Sequence, residues 1–124
     1  MKVGDSASLT RRYTLEDIAA FTSLAGVAPA TIRDVPEPLI GALFSYLLGV
    51  ELPGSGTNYL KQELAFAVPV PLDAEVTATV TITRLRPDKH LCDLATTLAD
   101  AAGQVLATGR ALVLVKDVDA AIEA

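Results

Sequence analysis

The most regular pattern in the chain is an alternation of apolar residues and threonines in residues 75–85. One side of an extended chain there would carry four apolar residues, Val76, Ala78, Val80 and Ile82, and the other side four threonines. Period two with many β-branched residues predicts a strand with one buried face. Shorter runs predict four more strands, in residues 3–13, 59–66, 90–98 and 104–115. The Gly-containing turn at 100–103 predicts that the last two form a hairpin.

Two segments before residue 50 have helical patterns. Thr14 and Asp17 have capping-box spacing, which predicts a first helix to about residue 23 or 24. Its expected buried face consists of Leu15, Ile18, Ala19 and Thr22. After a proline-bearing loop in residues 26–38, a second helix is predicted from 36 or 37 to 49. This helix is apolar on every side, so most of its surface must be covered.

The order of these elements predicts the architecture. Two helices followed by strands, without βαβ alternation, indicate a single α+β domain with an antiparallel sheet over residues 1–124. We expect the apolar helix to lie across the concave face of the sheet, which is the hot-dog arrangement. We expect a partner subunit to cover its other side, since a monomer would leave apolar surface exposed. Residues 117–124 are expected to be a frayed acidic end.

Composition narrows the function classes. The net charge is -5, and the ten Lys and Arg residues form no basic patch, so no nucleic-acid partner is expected. The longest apolar stretch, residues 38–50, is too short to span a bilayer. One cysteine cannot form an internal disulfide, and the start has no signal-peptide pattern, so a cytoplasmic protein is expected. A single histidine without a second ligand nearby indicates no metal site, and no cofactor is expected.

Several segments, in the same order along the chain, resemble the MaoC-like (R)-specific enoyl-CoA hydratases. They are Val3-Gly4-Asp5 with residues 13–21, Leu43 to Gly49, Leu52 to Gly56, the positions Tyr59-Leu60, Gln62, Phe66 and Pro69-Val70, and Leu85 to Lys89. The resemblance covers about residues 3–115. It implies a hot-dog fold and syn addition of water to an enoyl thioester.

The resemblance also implies where the family's chemistry would lie. In the family an aspartate and a histidine share the acid–base work, in a short stretch with Asn-Pro just after the first helix. A His-Gly pair at the start of the central helix helps to polarise the thioester carbonyl. Here the corresponding stretch, residues 25–32, holds neither Asp nor His and is about a dozen residues shorter. Pro36-Glu37 replaces His-Gly, so the resemblance implies the framework without its acid–base pair.

Five residues are candidates for a site. Asp34 and Glu37 lie where the family's pocket lining would be, either as replacement acid or base or as caps of the central helix. Arg33 is a candidate to bind a phosphate or carboxylate, or is a solvated loop charge. Ser45 matches a family serine that faces the catalytic residues. Tyr46 stands where the family has a smaller residue, and both are expected to be buried on the helix, as substrate-binding or core residues.

Two other residues with reactive side chains have less specific signals. His90 follows a turn at the start of a strand, so a surface or rim position is expected. Cys92 lies in the same strand and is expected to be a small core residue.

Three functions remain open at this point. In the first, the chain binds an acyl thioester, on acyl-CoA or an acyl-carrier protein, without hydrating it, as the non-catalytic half of a hot-dog heterodimer. Alternatively, the pocket catalyses a cyclisation or pericyclic step on a polyketide-like molecule by holding one conformer. In the third hypothesis, hydration continues with Asp34 or Glu37 as substitute base. Either a homodimer or a heterodimer with another hot-dog subunit fits these readings.

Overall fold

The computed structural model describes residues 1–26 and 33–119, which form two helices and five strands. The helices are α1 (Leu15–Ala25) and α2 (Glu37–Tyr46), the latter continued by a π-helical turn at Leu47–Glu51. The strands are β1 (Ser6–Arg12), β2 (Asn58–Phe66), β3 (Glu75–Arg86), β4 (Leu91–Asp100) and β5 (Val105–Leu114). Every predicted element is present, with ends that differ by a few residues. The predicted 26–38 loop falls partly on residues 27–32, which lie outside the described residues.

The five strands form one antiparallel sheet in the order β1-β3-β4-β5-β2. Strands β1 and β2 are therefore the two edges, and the β4–β5 hairpin lies inside the sheet. This confirms the α+β class with an antiparallel sheet. None of the helices in the described part of the chain is long and apolar enough to cross a membrane.

Strand β3 has the two faces that its sequence predicts. Val76, Ala78, Val80 and Ile82 are at most 1% exposed and belong to the core cluster. The threonine face is partly solvated and carries cross-strand hydroxyl pairs, in which Thr79 and Thr77 lie 2.9 and 2.8 Å from Ser8 and Thr10 of β1. These pairs add to the ladder that holds β1 on its edge.

Helix α1 begins with the predicted capping box. The Thr14 hydroxyl accepts from the Asp17 N–H, and the Asp17 carboxylate accepts from the Thr14 N–H. The expected buried face is only half right. Ile18 and Thr22 are buried, whereas Leu15 is 68% exposed and Ala19 is also exposed.

Helix α2 packs against the sheet through Ile40, Leu43 and Phe44, and the π-helical turn adds Leu47 and Leu48 to the same core. Its other side faces solvent in the single chain. Ser45 and Tyr46, which the sequence led us to expect buried, are both exposed. The sheet therefore covers only one side of this apolar helix, and part of its apolar surface is exposed.

The end of the chain is packed further than the sequence indicates. Val118 is partly buried against the core, and its N–H donates to the Val115 carbonyl. The Asp117 carbonyl lies so close to Gly56, which has φ +97°, that a side chain there would overlap it. Residues 117 and 118 of the predicted frayed end are therefore packed, and its residues 120–124 lie outside the described residues.

Candidate active-site cleft

A cleft open to solvent lies beside the N-terminus of α2. One wall is the segment Arg33–Glu37 and the other is Phe66–Val70, at and beyond the end of β2. Its volume is about 640 Å³, within the range of small-molecule sites. The Val35 N–H donates to the Val70 carbonyl at 2.9 Å, which fixes one wall against the other. The apolar wall was not among the sequence candidates, although Phe66 and Pro69-Val70 belong to the segments that carry the resemblance.

The cleft brings together three of the five candidate residues. Arg33, Asp34 and Glu37 line it and are exposed. Among the described residues, none of the three takes part in an ion pair. Their charges are therefore available to a ligand. Such a site offers one cationic group and two carboxylates next to an apolar wall.

The start of α2 gives the cleft few backbone donors. Pro36 and Pro38 have no N–H, and the Leu39 N–H donates to the Pro36 carbonyl. This leaves the Glu37 N–H, which has no hydrogen-bond partner among the described residues. The capping role considered for Asp34 and Glu37 is wrong, since α2 has no side-chain cap. Glu37 does lie in the first turn, where a negative charge complements the helix dipole.

The other two candidates are not in this cleft. Tyr46 is 48% exposed and lines a separate groove on the side of α2 that faces β1. Ser45 is exposed and lines neither cavity. In the single chain, these hydroxyls and the three cleft charges therefore do not form one site.

The histidine and the cysteine lie away from the cleft, in the β3–β4 region. His90 is exposed with φ 56° at the end of the turn Pro87–Lys89, as the sequence predicted for a surface residue. Cys92 is fully buried, as expected, and burial together with the neighbouring Asp93 carboxylate raises the pKa of its thiol to about 11. The thiol therefore stays protonated near neutral pH and is a poor nucleophile.

Comparison with known proteins shows which family this chain is related to. The chain is 37% identical to the (R)-specific enoyl-CoA hydratase of Aeromonas caviae, over 91% of this chain and 94% of that protein. The chain belongs to the (R)-specific enoyl-CoA hydratase family. Its hydratase relative from Rhodospirillum rubrum is 36% identical, over 93% of this chain and 88% of the relative. No protein-family model matches the chain.

The solved structures agree with this family assignment. The A. caviae (R)-hydratase superposes with a TM-score of 0.83 at 37% identity, over 91% of this chain and 96% of that one. This confirms the hot-dog fold predicted from the sequence. The sequence alignment with the A. caviae hydratase spans 126 positions, whereas 91% of 124 residues is about 113. About a dozen residues of that hydratase therefore have no counterpart in this chain.

Proposed function

We propose that the chain binds an acyl thioester in the cleft between Arg33–Glu37 and Phe66–Val70, and that it does not hydrate it with the family's Asp/His pair. The relatives at 36–37% identity are named as enoyl-CoA hydratases, which supports an acyl-CoA or acyl-carrier-protein thioester as ligand class. The size of the cleft, about 640 Å³, and its apolar wall support a site of this kind.

The cleft offers each part of such a ligand a suitable contact. The Phe66–Val70 wall suits the acyl chain. We expect the Glu37 N–H, at the positive end of the α2 dipole, to donate to the thioester carbonyl. We expect Arg33, which forms no ion pair with any residue that the structure describes, to bind a phosphate of the carrier, because the donors of arginine form a planar fork.

The position of the only histidine in the sequence supports the proposal that the chain does not hydrate the thioester with the family's Asp/His pair. His90 follows β3 in the turn before β4, whereas the cleft lies at the start of α2 and the end of β2. No histidine can then share acid–base work with a carboxylate in the cleft. An acid or base contributes about 10²–10⁴-fold each, so loss of both removes about 10⁴-fold or more of the hydration rate.

The test pairs a binding assay with a rate assay. Crotonyl-CoA titrated calorimetrically into the protein should bind, and the R33Q variant should bind about tenfold more weakly, since a hydrogen bond to a charged group contributes about 1.5–3 kcal/mol. R84Q, an exposed arginine on β3, is the matched control and should bind like the parent. Hydration followed at the enoyl absorbance should stay near the uncatalysed rate. No measurable binding, or equal loss in both variants, contradicts the proposal.

A second candidate function is suggested by the open cleft and by its exposed rim charges. An open, charged site is suited to catalysis other than hydration, such as a cyclisation in which one conformer is held and one carbonyl polarised.

Alternatively, Asp34 or Glu37 replaces the missing base and hydration persists. Crotonyl-CoA hydration that falls at least a hundredfold in D34N or E37Q would favour the substitute base. Turnover of a folded polyketide-like substrate, without crotonyl-CoA hydration, would favour the cyclase.

A dimer is the assembly that we propose for this chain, with itself or with an Asp/His-bearing hot-dog subunit. Strand β2 has an unpaired edge, and Tyr59 and Leu60 on it are 37% and 53% exposed. Exposed edges and apolar patches of this kind favour pairing. Sedimentation should give a dimer at micromolar concentration, weakened by L60K and unaffected by the control L24K on α1. A strict monomer, alone and mixed with an active hot-dog chain, would refute the dimer.

A further inference from the structure

A second groove of about 430 Å³ lies between β1 and α2, and it shares no lining residue with the thioester cleft. Alternate residues of β1 and the residue after it form one wall, and residues at helical spacing on α2 form the other. The lining consists of Leu9, Arg11 and Tyr13 on the first wall, with Leu39, Ala42, Leu43 and Tyr46 on the second. The groove is apolar except for one guanidinium and two phenol hydroxyls.

Arg11 is the one charged residue among the residues that line this groove. Residues alternate between the two faces of a strand, so Arg11 shares with Leu9 and Tyr13 the face that looks toward α2. Among the described residues it forms no ion pair, and its contact is with the Tyr13 ring, 5.6 Å from the ring centre. The nearby Asp17 carboxylate accepts from the Thr14 N–H. Arg11 is exposed, and a cation that borders an apolar groove and forms no ion pair among the described residues is complementary to an anion that carries an apolar tail.

The groove has the length of a medium-chain acyl group. Leu39 to Tyr46 spans about 10 Å of helix axis, which matches an alkyl chain of roughly eight to ten carbons. The Tyr13 hydroxyl already donates to the Leu39 carbonyl at 3.4 Å, at the end of the groove near the start of α2. Tyr46 lies at the opposite end and is half exposed, so it can close over a bound tail.

We infer that this groove binds a medium-chain carboxylate, with the alkyl tail along α2 and the carboxylate on the Arg11 guanidinium. The complementarity of one unpaired cation and an apolar trough is the observation that carries the inference. It holds whether or not the thioester cleft binds crotonyl-CoA, because the two cavities have different lining residues.

Decanoate is the probe, titrated into the full chain by calorimetry below its micelle concentration. Binding should weaken about tenfold in R11Q, which removes the charge, and stay within about threefold in R11K, which keeps it. The control R12Q should bind like the parent, since the Arg12 Nη1 donates to the Asp73 carbonyl at 2.9 Å and Arg12 is not part of the groove. A42F should abolish binding by filling the trough. Decan-1-ol and decylammonium should bind at least tenfold more weakly than decanoate.

Three kinds of outcome would overturn the inference, and a fourth separates it from the proposed function. Equal binding of decanoate and decylammonium, or equal binding to R11Q, would show that the cation is not part of a site. No decanoate binding, together with aggregation of R11Q, would show that Arg11 protects the edge of β1 from pairing. Displacement of decanoate by crotonyl-CoA, or loss of decanoate binding in E37Q, would show one shared site. Decanoate bound without crotonyl-CoA binding would leave this inference intact and remove the proposed function.

Discussion

Asp93 joins two arginines on the face of β4 that points away from the core. One carboxylate oxygen accepts from Arg110, with distances of 3.2 Å to Nε and 2.9 Å to Nη2, and the other accepts from Arg86 Nη2 at 3.0 Å. The Asp93 side chain is 8% exposed, whereas those of Arg86 and Arg110 are 24% and 52% exposed. The substitution D93N removes the charge while keeping the shape, and leaves two guanidinium groups facing an amide.

The loss expected from D93N can be worked from these exposures. The Arg86 bond is well shielded, so a charge-assisted hydrogen bond of about 1.5–3 kcal/mol is lost. The half-exposed Arg110 is screened by water and adds about 0.2–1 kcal/mol. We therefore expect the free energy of unfolding to fall by about 2–4 kcal/mol. For a chain of this length, the melting temperature should fall by roughly 10 °C.

Urea unfolding, followed by circular dichroism at one fixed protein concentration, measures this difference, since assembly makes stability depend on concentration. The matched control R110Q should lose less than about 1 kcal/mol. The double variant D93L/R86M, which replaces the shielded pair by apolar groups, should be more stable than D93N. The reasoning is refuted if D93N loses less than 1 kcal/mol, or if R110Q loses as much as D93N.

Three further substitutions or measurements test other parts of the structure. G109A should lower the melting temperature by several degrees, because a Cβ on Gly109 would overlap the Glu63 carbonyl of β2, whereas G41A in open space on α2 should not lower it. Burial raises the pKa of Tyr59 to about 12. Alkaline titration should therefore show a tyrosine absorbance step near pH 12 that Y59F lacks. The free energy of unfolding contributed by this phenol should fall between about pH 10 and pH 12. The buried Cys92 thiol should resist a disulfide reagent at pH 8 in native buffer and react in urea, and rapid native labelling would contradict its burial.

The strands and helices could be predicted from the sequence because their patterns are local. The Val76–Ile82 alternation and the Thr14/Asp17 capping box specify their elements without reference to the rest of the chain. Burial is set by what packs on an element, so it was less predictable. Leu15 is in the apolar pattern of α1, yet it is 68% exposed, since α1 has few contacts with the other helices and strands. Tyr46 is exposed because one sheet covers only one side of α2.

The candidate site was predictable where residues are close in sequence. Arg33, Asp34 and Glu37 enclose the start of one helix, so their position in one cleft follows from the predicted start of α2. The wall opposite them comes from the end of β2, about thirty residues further along the chain, and only the fold brings it there. Ser45 lies on the same helix as Glu37 but eight residues on, so at 1.5 Å per residue it is about 12 Å further along the axis and outside the cleft.

The start of α2 also bears on the proposal that the cleft does not hydrate its ligand. An oxyanion is stabilised by several N–H groups aimed at one point, each of which contributes about 10²–10³-fold. Pro36 and Pro38 supply none, and the N–H that remains belongs to Glu37, whose side chain is a carboxylate in the first turn of the helix. A negative side chain there repels an enolate, although it tolerates a neutral thioester carbonyl. If the cleft binds the thioester as proposed, the residues that begin α2 favour ground-state binding over the transition state for hydration, and no histidine of this chain lines the cleft.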